Sequence, residues 1–331
     1  MFNLSGIFRE VRVTSLPLPV HIYDFNWRTY IDNNDQLASI DVELTFHWDH
    51  MYHKSLLEVE EEDLSAYINM LEEYYMVEVS IYEEGYLTAS VPTSTSHLLM
   101  FSNPSKDCVS RSSAYVPVPA SSDWTEKASS STTLKTTLNV YCPELWQAEK
   151  PYVYTLVVSL KSVGTAGNSN DADRILSQDS LTLQTESCRL GFRRIEIVDG
   201  QLKVNRRPVM IRGVNLHEHD HITGHAIKST LIEADIQLMK RNNINSIRTS
   251  HYPHTPWFYE LCTVYGVMVV DESNIETHGM KPYAGRLADD PKWHQVRLYF
   301  VYTPYLCIYY LYAYSFSVIY IGFHAAIDKN V

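Results

Sequence analysis

Three short polar clusters between Val209 and Met280 hold the side chains of this sequence best suited to chemistry. The first is Asn215, His217, Glu218, His219, Asp220 and His221; the second is Arg248, Ser250, His251, Tyr252 and Pro253. The third is Asp271, Glu272, Asn274, Glu276 and His278. Imidazoles and carboxylates bind metals and move protons near neutral pH. His217-x-His219 alone is a weak metal pattern, because a metal centre needs more converging ligands. Glu276 and His278 lie two apart, which in an extended loop places both on one side. One carboxylate oxygen and one imidazole nitrogen make half of a divalent-cation site. Taken singly, each of these residues reads equally well as part of a solvated polar loop. It is the recurrence of three clusters that points to a site.

The elements around the clusters explain how they would converge. Val209–Val214, Ile244–Ser250 and Val267–Val270 are apolar runs, as buried parallel strands are, and each leads straight into one cluster. Between them lie helical signals. Thr230-Leu231-Ile232-Glu233 has the form of a capping box, and Ile232, Ile236 and Met239 follow on one helical face. Pro256 suits a first helical turn and Gly266 a helix end. Strand-helix repetition with one polar edge predicts a doubly wound sheet or a (β/α)8 barrel. In a barrel, Arg248 and His251 fall at a strand's carboxyl end, where side chains reach the pocket.

Residues 1–190 carry the other period. His21–Asp32, Leu37–Trp48, Leu134–Cys142 and Tyr152–Ser162 alternate apolar and polar residues, as half-buried antiparallel strands do. Tyr75–Val91 reads as two strands around a Glu83-Glu84-Gly85 turn. The spacing predicts a β-sandwich of immunoglobulin-like type. Two insertions interrupt it. Lys54–Tyr75 is acidic, with Leu57, Leu64, Ile68 and Leu71 at helical spacing, and lacks the Asp-x-Asp-x-Asp-Gly loop of a calcium site. Ser94–Thr133 is rich in Ser, Thr and Pro and reads as a long loop. Val163–Arg174 reads as a hairpin tip, and Ile195–Asn205 as a hairpin around Asp199-Gly200.

Composition narrows the classes. The chain has 331 residues, 45% hydrophobic and 20% charged, enough for two domains with their own cores. A net charge of −12 without a basic stripe argues against nucleic acid as a partner. Cys108, Cys142, Cys188, Cys262 and Cys307 are odd in number and form no CxxC pair, which disfavours a zinc ribbon or a disulfide framework. Met1–Val13 has no basic segment followed by an apolar one, so no signal peptide is read and a cytoplasmic location is expected.

All three clusters also carry a family likeness. Asn245–Pro253 (NSIRTSHYP), with Gly266 and Val267–Val270, resembles the first signature of glycoside hydrolase family 2. Gly213–His219 (GVNLHEH) and Asp271–Gly279 (DESNIETHG) resemble the β-galactosidase branch; a β-glucuronidase-type hydrolase shares the GVN and SHYP features but not the ETHG loop. LSGIFREV near the start and Pro143–Leu156 resemble the β-sandwich that precedes the barrel in that family. The resemblance implies an immunoglobulin-like sandwich over 1–190, with insertions around 54–75 and 94–133, and then the first part of a TIM barrel, about three βα units, over 191–297. It implies retaining hydrolysis of terminal β-D-galactosides. Glu276 and His278 would be ligands of an active-site magnesium ion (Mg2+). His217 and His251 would contact the galactosyl unit, and Arg248 would support the catalytic carboxylates. Full-length members are expected to be homo-oligomers.

The departures from the pattern are as informative. Both catalytic glutamates of the family lie beyond the third strand, and the last glutamate here is Glu276. The acid/base glutamate is also the third magnesium ligand. Met1 falls inside the family's match, and the family's sugar-binding domain before it has no counterpart. The chain is therefore expected to be a fragment without activity of its own, with carbohydrate binding or an interaction role as the alternative. Thr263 stands where the family usually has Asp or Asn. Leu298–Phe323 has no charge and eight tyrosines. It is long enough to span a bilayer, but Pro304 and tyrosines in mid-segment disfavour that. Residues 298–331 are read as a tail unrelated to the family, of the kind a frameshifted transcript produces.

Overall fold

Alternating apolar side chains build the first unit. The computed structural model describes residues 7, 9–49, 75–86, 108–119, 129–163 and 180–272. β1 (Val20–Ile31), β2 (Leu37–Asp49) and β5 (Ser129–Tyr141) form one antiparallel sheet in the order β1-β2-β5. β3 (Tyr75–Tyr86), β4 (Cys108–Tyr115), β6 (Tyr152–Val163) and β7 (Ser180–Leu190) form the other, in the order β4-β3-β6-β7. Along β2, Ala38, Ile40, Val42, Leu44, Phe46 and Trp48 are all buried, every second residue. They meet Val77, Val79 and Ile81 of β3 and Leu156, Val158 and Leu160 of β6 in one core. At one margin the Gln184 side chain of β7 accepts the Ile22 N–H of β1 (2.8 Å) and donates to its carbonyl (3.2 Å). This satisfies backbone groups of an edge strand. Across the other margin, Ser112 Oγ and Thr136 Oγ1 are 2.8 Å apart.

Two expectations are corrected here. Glu83-Glu84-Gly85 is no turn: β3 runs through it as one strand to Tyr86, with a register shift between Glu83 and Gly85. Gly85 absorbs the bulge at φ +75°, and Glu84 is held by Thr155 Oγ1 of β6 (2.5 Å) and Arg189 Nε of β7 (3.3 Å). The loop expected over Ser94–Thr133 contains all of β4 and the start of β5. Ser and Thr there suggested a loop, but Thr is β-branched and suits a strand, and the sheet faces involved are half exposed and need no apolar run. The helix expected over Lys54–Tyr75 and the hairpin tip over Val163–Arg174 lie outside the described residues except at their margins, where Tyr75 begins β3 and Val163 ends β6.

A hairpin follows: β8 (Ile195–Val198) and β9 (Gln201–Val204) joined at Asp199-Gly200, with β10 (Arg207–Pro208) on β9. Both turn residues have positive φ, +53° and +71°, as a two-residue hairpin requires. The second unit is a parallel sheet. β11 (Gly213–Leu216), β12 (Ser246–Thr249) and β13 (Met268–Val270) lie side by side in chain order. α1 (Ser229–Arg241) and α2 (Pro256–Tyr265) connect them. Ile232 and Ile236 of α1 and Phe258, Tyr259, Leu261 and Cys262 of α2 pack on Ile247, Val267 and Val269. Pro256 begins α2, and Gly266 ends it in the left-handed region at φ +71°.

Two further expectations change in this unit. Val209–Val214 is not a buried strand: β11 begins at Gly213, and Met210 is 74% exposed. The capping box does not form. Lys228 is the N-cap, so Thr230 lies inside the first turn, and the Glu233 carboxylate instead accepts the Tyr265 hydroxyl of α2 (2.7 Å).

Trp146 seals the two units together. It is fully buried, donates from Nε1 to the Thr263 carbonyl of α2 (2.9 Å) and lies 4.9 Å beneath the Arg193 guanidinium. Thr263, where the family pattern departs, is itself fully buried and donates to the Tyr259 carbonyl (2.9 Å). Lys240 Nζ adds bonds to the Ala148 and Gly266 carbonyls.

Candidate functional site

The three parallel strands end at Leu216, Thr249 and Val270, and the residues after each end meet. The His217 and His251 rings are 5.5 Å apart, edge to face, and Tyr252 lies 6.0 Å from His217. The Ser250–His251 peptide is cis. Arg248 extends from β12 across the edge. Its Nη2 donates to Glu272 Oε2 at 2.6 Å, and Nη1 reaches Asn215 Oδ1 at 3.3 Å. His251 Nδ1 lies 3.1 Å from both Glu272 oxygens. All three clusters thus contribute: His217 and Asn215 from the first, Arg248, His251 and Tyr252 from the second, and Glu272 from the third.

The first cluster divides by depth. Glu218 is 2% exposed and faces inward. Its carboxylate accepts the Thr255 N–H at the start of α2 (2.6 Å) and Arg9 from the amino-terminal segment (3.0 Å). A carboxylate at a helix amino terminus is favoured by the helix dipole and by the free amides there. The Tyr252 hydroxyl accepts the Glu218 N–H (3.1 Å), which ties the first loop to the second. His225 Nδ1 contacts the Glu218 carbonyl (2.5 Å), and its ring lies 5.7 Å from His219. His221 is exposed beside Asp220.

Electrostatics follow from this packing. His217 is held below the usual histidine range, first by partial burial and then by the neighbouring His251 and His225. It is therefore a neutral hydrogen-bonding ring near pH 7. His254, 2% exposed, is pushed down to about 4 by burial. The Tyr252 hydroxyl is raised by burial. Asp271 accepts Thr249 Oγ1 (2.9 Å) and the Tyr259 hydroxyl (2.6 Å) through one oxygen. Each described carboxylate at this edge is therefore held by protein donors: Glu218 by Thr255 and Arg9, Asp271 by Thr249 and Tyr259, and Glu272 by Arg248 and His251. The edge that results offers imidazole, amide, guanidinium and hydroxyl groups, a set suited to a ligand with many hydroxyls.

Of the residues expected from sequence, His217, His251 and Arg248 are brought together. Glu276 and His278 lie outside the described residues, and among the described residues no group of three or more potential metal ligands forms. Glu272 is the residue whose importance sequence reasoning missed, although it stands two residues past the third strand. Glu218 and His254 were hidden for another reason. Burial gives them their environment, and no local pattern announces it.

Comparison with known proteins places this geometry. The profile described as "Glycosyl hydrolases family 2, TIM barrel domain" matches residues 195–303, running into the first residues of the tail, and "Glycosyl hydrolases family 2" matches 109–172. A β-galactosidase of Pseudoalteromonas haloplanktis is 46% identical over 168 residues, 51% of this chain and 15% of that protein. A β-galactosidase of Vibrio cholerae is 33% identical over 298 residues, 88% of this chain and 23% of that protein. The chain thus spans less than a quarter of the length of either relative. In fold it is similar to a family 2 member from Bacteroides cellulosilyticus (TM-score 0.51, 18% identity, 77% of this chain and 27% of that one). A β-glycosidase from Bacteroides vulgatus gives a TM-score of 0.50 at 20% identity over 86% of this chain and 28% of that one. No described helix is long and apolar enough to cross a membrane. Two family profiles falling in sequence order on the sandwich and on the parallel unit, together with a relative matched across both, show that this chain belongs to glycosyl hydrolase family 2.

Proposed function

We propose that the whole protein is a retaining β-galactosidase and that this chain supplies one wall of its sugar site. The carrying observation is the meeting of His217 with Arg248 and His251 at the ends of two neighbouring parallel strands, with Glu272 joining them from beyond the third. The β-galactosidase relatives support galactose as the sugar. On this reading the parallel unit begins a (β/α)8 barrel, with its polar edge as the catalytic face. The three-plus-four sheet order of the first unit supports an immunoglobulin-like sandwich; on this reading the domain boundary falls near 190 and the tail begins at 298.

The described edge binds and orients. Neutral His217, and His251 beside it, would exchange hydrogen bonds with sugar hydroxyls, and Arg248 would keep a positive charge beside the reacting centre. Retaining hydrolysis needs two further carboxyl groups about 5 Å apart, one to protonate the leaving oxygen and one to attack the anomeric carbon. On this reading Glu218, Asp271 and Glu272, each held by protein donors, support the site, and the catalytic pair lies beyond the third strand. Glu276 and His278 form a mixed oxygen and nitrogen donor set that fits a divalent ion, and they would hold magnesium, which when bound supplies fixed positive charge to the site.

The 331-residue polypeptide alone is therefore expected to bind galactosides without turning them over. Calorimetric titration with isopropyl β-thiogalactoside should show saturable binding that His217→Ala weakens. A chromogenic β-galactoside with magnesium should stay intact. No saturable binding, or turnover by the purified chain, would overturn this reading.

A further inference from the structure

We propose that Glu272 is the positioning residue of this edge, one carboxylate that fixes the tautomer of His251 and the pose of Arg248 so that His251 offers its Nε2 lone pair to the ligand. An ionised carboxylate only accepts hydrogen bonds. Arg248 Nη2 at 2.6 Å from Oε2 is a donor by necessity. His251 Nδ1, at 3.1 Å from both oxygens, must then carry a hydrogen to bond at all. In a neutral imidazole, a hydrogen on Nδ1 leaves Nε2 as an acceptor. An isolated imidazole is under no such constraint. His251 in this site accepts from a ligand hydroxyl, and Arg248 is held in one pose at the same time.

Glu272 is itself held from behind, as a positioning group must be. Its N–H donates to Thr249 Oγ1 (2.9 Å), and the Thr249 hydroxyl in turn donates to Asp271 Oδ1 (2.9 Å). The Tyr259 hydroxyl reaches the same Asp271 oxygen at 2.6 Å and accepts the His254 N–H at 3.0 Å. Thr249 and Tyr259 are fully buried. A chain of bonds therefore runs from α2 through the ends of β12 and β13 to the Glu272 backbone, and the carboxylate emerges from it toward two exposed-edge side chains. Elsewhere in the molecule, the His21–His47 cross-strand pair at 5.3 Å gains no third ligand among the described residues, and the half-buried Glu260 is tied to Arg189 across the two units.

The assignment rests on the sugar-site reading only for the identity of the ligand, and two measurements keep them apart. The first is the histidine tautomer from long-range proton–nitrogen correlation NMR of the full chain, above the pH at which the rings titrate, with the His251 signal identified by its loss in His251→Gln. Wild type should show hydrogen on Nδ1; Glu272→Ala should shift His251 toward hydrogen on Nε2, while the His254 signal stays in place. Glu272→Gln, which keeps the shape and one carbonyl acceptor, should fall between them and serves if the alanine variant does not fold. A wild-type ring with hydrogen on Nε2, or a tautomer that ignores both substitutions, overturns the proposal. The second is thiogalactoside titration, where Glu272→Ala should weaken binding about tenfold. The expected tautomers without thiogalactoside binding uphold Glu272 and sink the galactoside reading. Binding with an unresponsive tautomer does the reverse.

Discussion

His254 gives this chain an acid sensitivity that one substitution should remove. The ring is 2% exposed, packed 4.6 Å from Phe258 and 5.6 Å from Tyr252, and its Nε2 is buried with no partner. Burial pushes it down from 6.5 to about 4, despite the nearby Glu218 carboxylate and a bond to the Leu216 carbonyl. Because the folded value is the lower one, the neutral ring is fully compatible with the fold above pH 6.5, and stability is lost as pH falls toward 4. A gap of about 2.5 pH, at ~1.36 kcal/mol each, makes the full loss ~3.4 kcal/mol. At pH 5 the loss is already ~2 kcal/mol, and at pH 7.5 it is below ~0.1 kcal/mol. In His254→Asn, Nδ2 can still reach the Leu216 carbonyl, but nothing titrates in this window. That variant loses ring contacts of about 1 kcal/mol at every pH. Urea unfolding at pH 7.5 and 5.0, followed by tryptophan fluorescence, separates the two effects. The variant should start less stable at pH 7.5 and decline by ~2 kcal/mol less than wild type on acidification. Equal declines, or a His254 signal titrating near 6.5 by NMR, would refute the argument.

Other expectations concern how the units are joined. Gly266→Ala places a Cβ 2.3 Å from the Ala148 carbonyl oxygen at φ +71°, so it should destabilise by at least ~2 kcal/mol, read as a lower urea midpoint. A midpoint equal to wild type would show that the α2 end and the Ala148 segment are not in contact. Trp146→Ala removes a fully buried ring and its bond to Thr263, and ~3–5 kcal/mol should be lost. Because Trp146 bridges the units, faster proteolysis should appear in both of them, and cleavage confined to one would count against the seam.

What the sequence determined alone was whatever rests on local periodicity and backbone chemistry. Alternation located β1, β2, β5 and β6 because every second side chain enters the core. Asp199-Gly200 and Gly266 marked a hairpin and the end of α2 because few residues tolerate positive φ, and Pro256 marked its start because proline suits a first turn that needs no N–H donor. The family likeness of GVNLHEH, NSIRTSHYP and DESNIETHG named His217, Arg248 and His251, and the fold brings them together. The rest was set by partners distant in the chain. β4 is a strand because β3 offers it hydrogen bonds, although its Ser-rich composition resembles a loop. Glu83-Glu84-Gly85 stays in a strand because Thr155 and Arg189 hold it there, and Thr230–Glu233 forms no box because Tyr265 takes the carboxylate. Adjacent residues also part company by depth. His217 reaches the edge, whereas Glu218 turns inward to Arg9, 209 positions away in sequence. Glu272 acquires its role only where three strand ends meet, because the residues it bonds come from another strand and loop. Direction, depth and partner are properties of packing, and tertiary structure alone decides them.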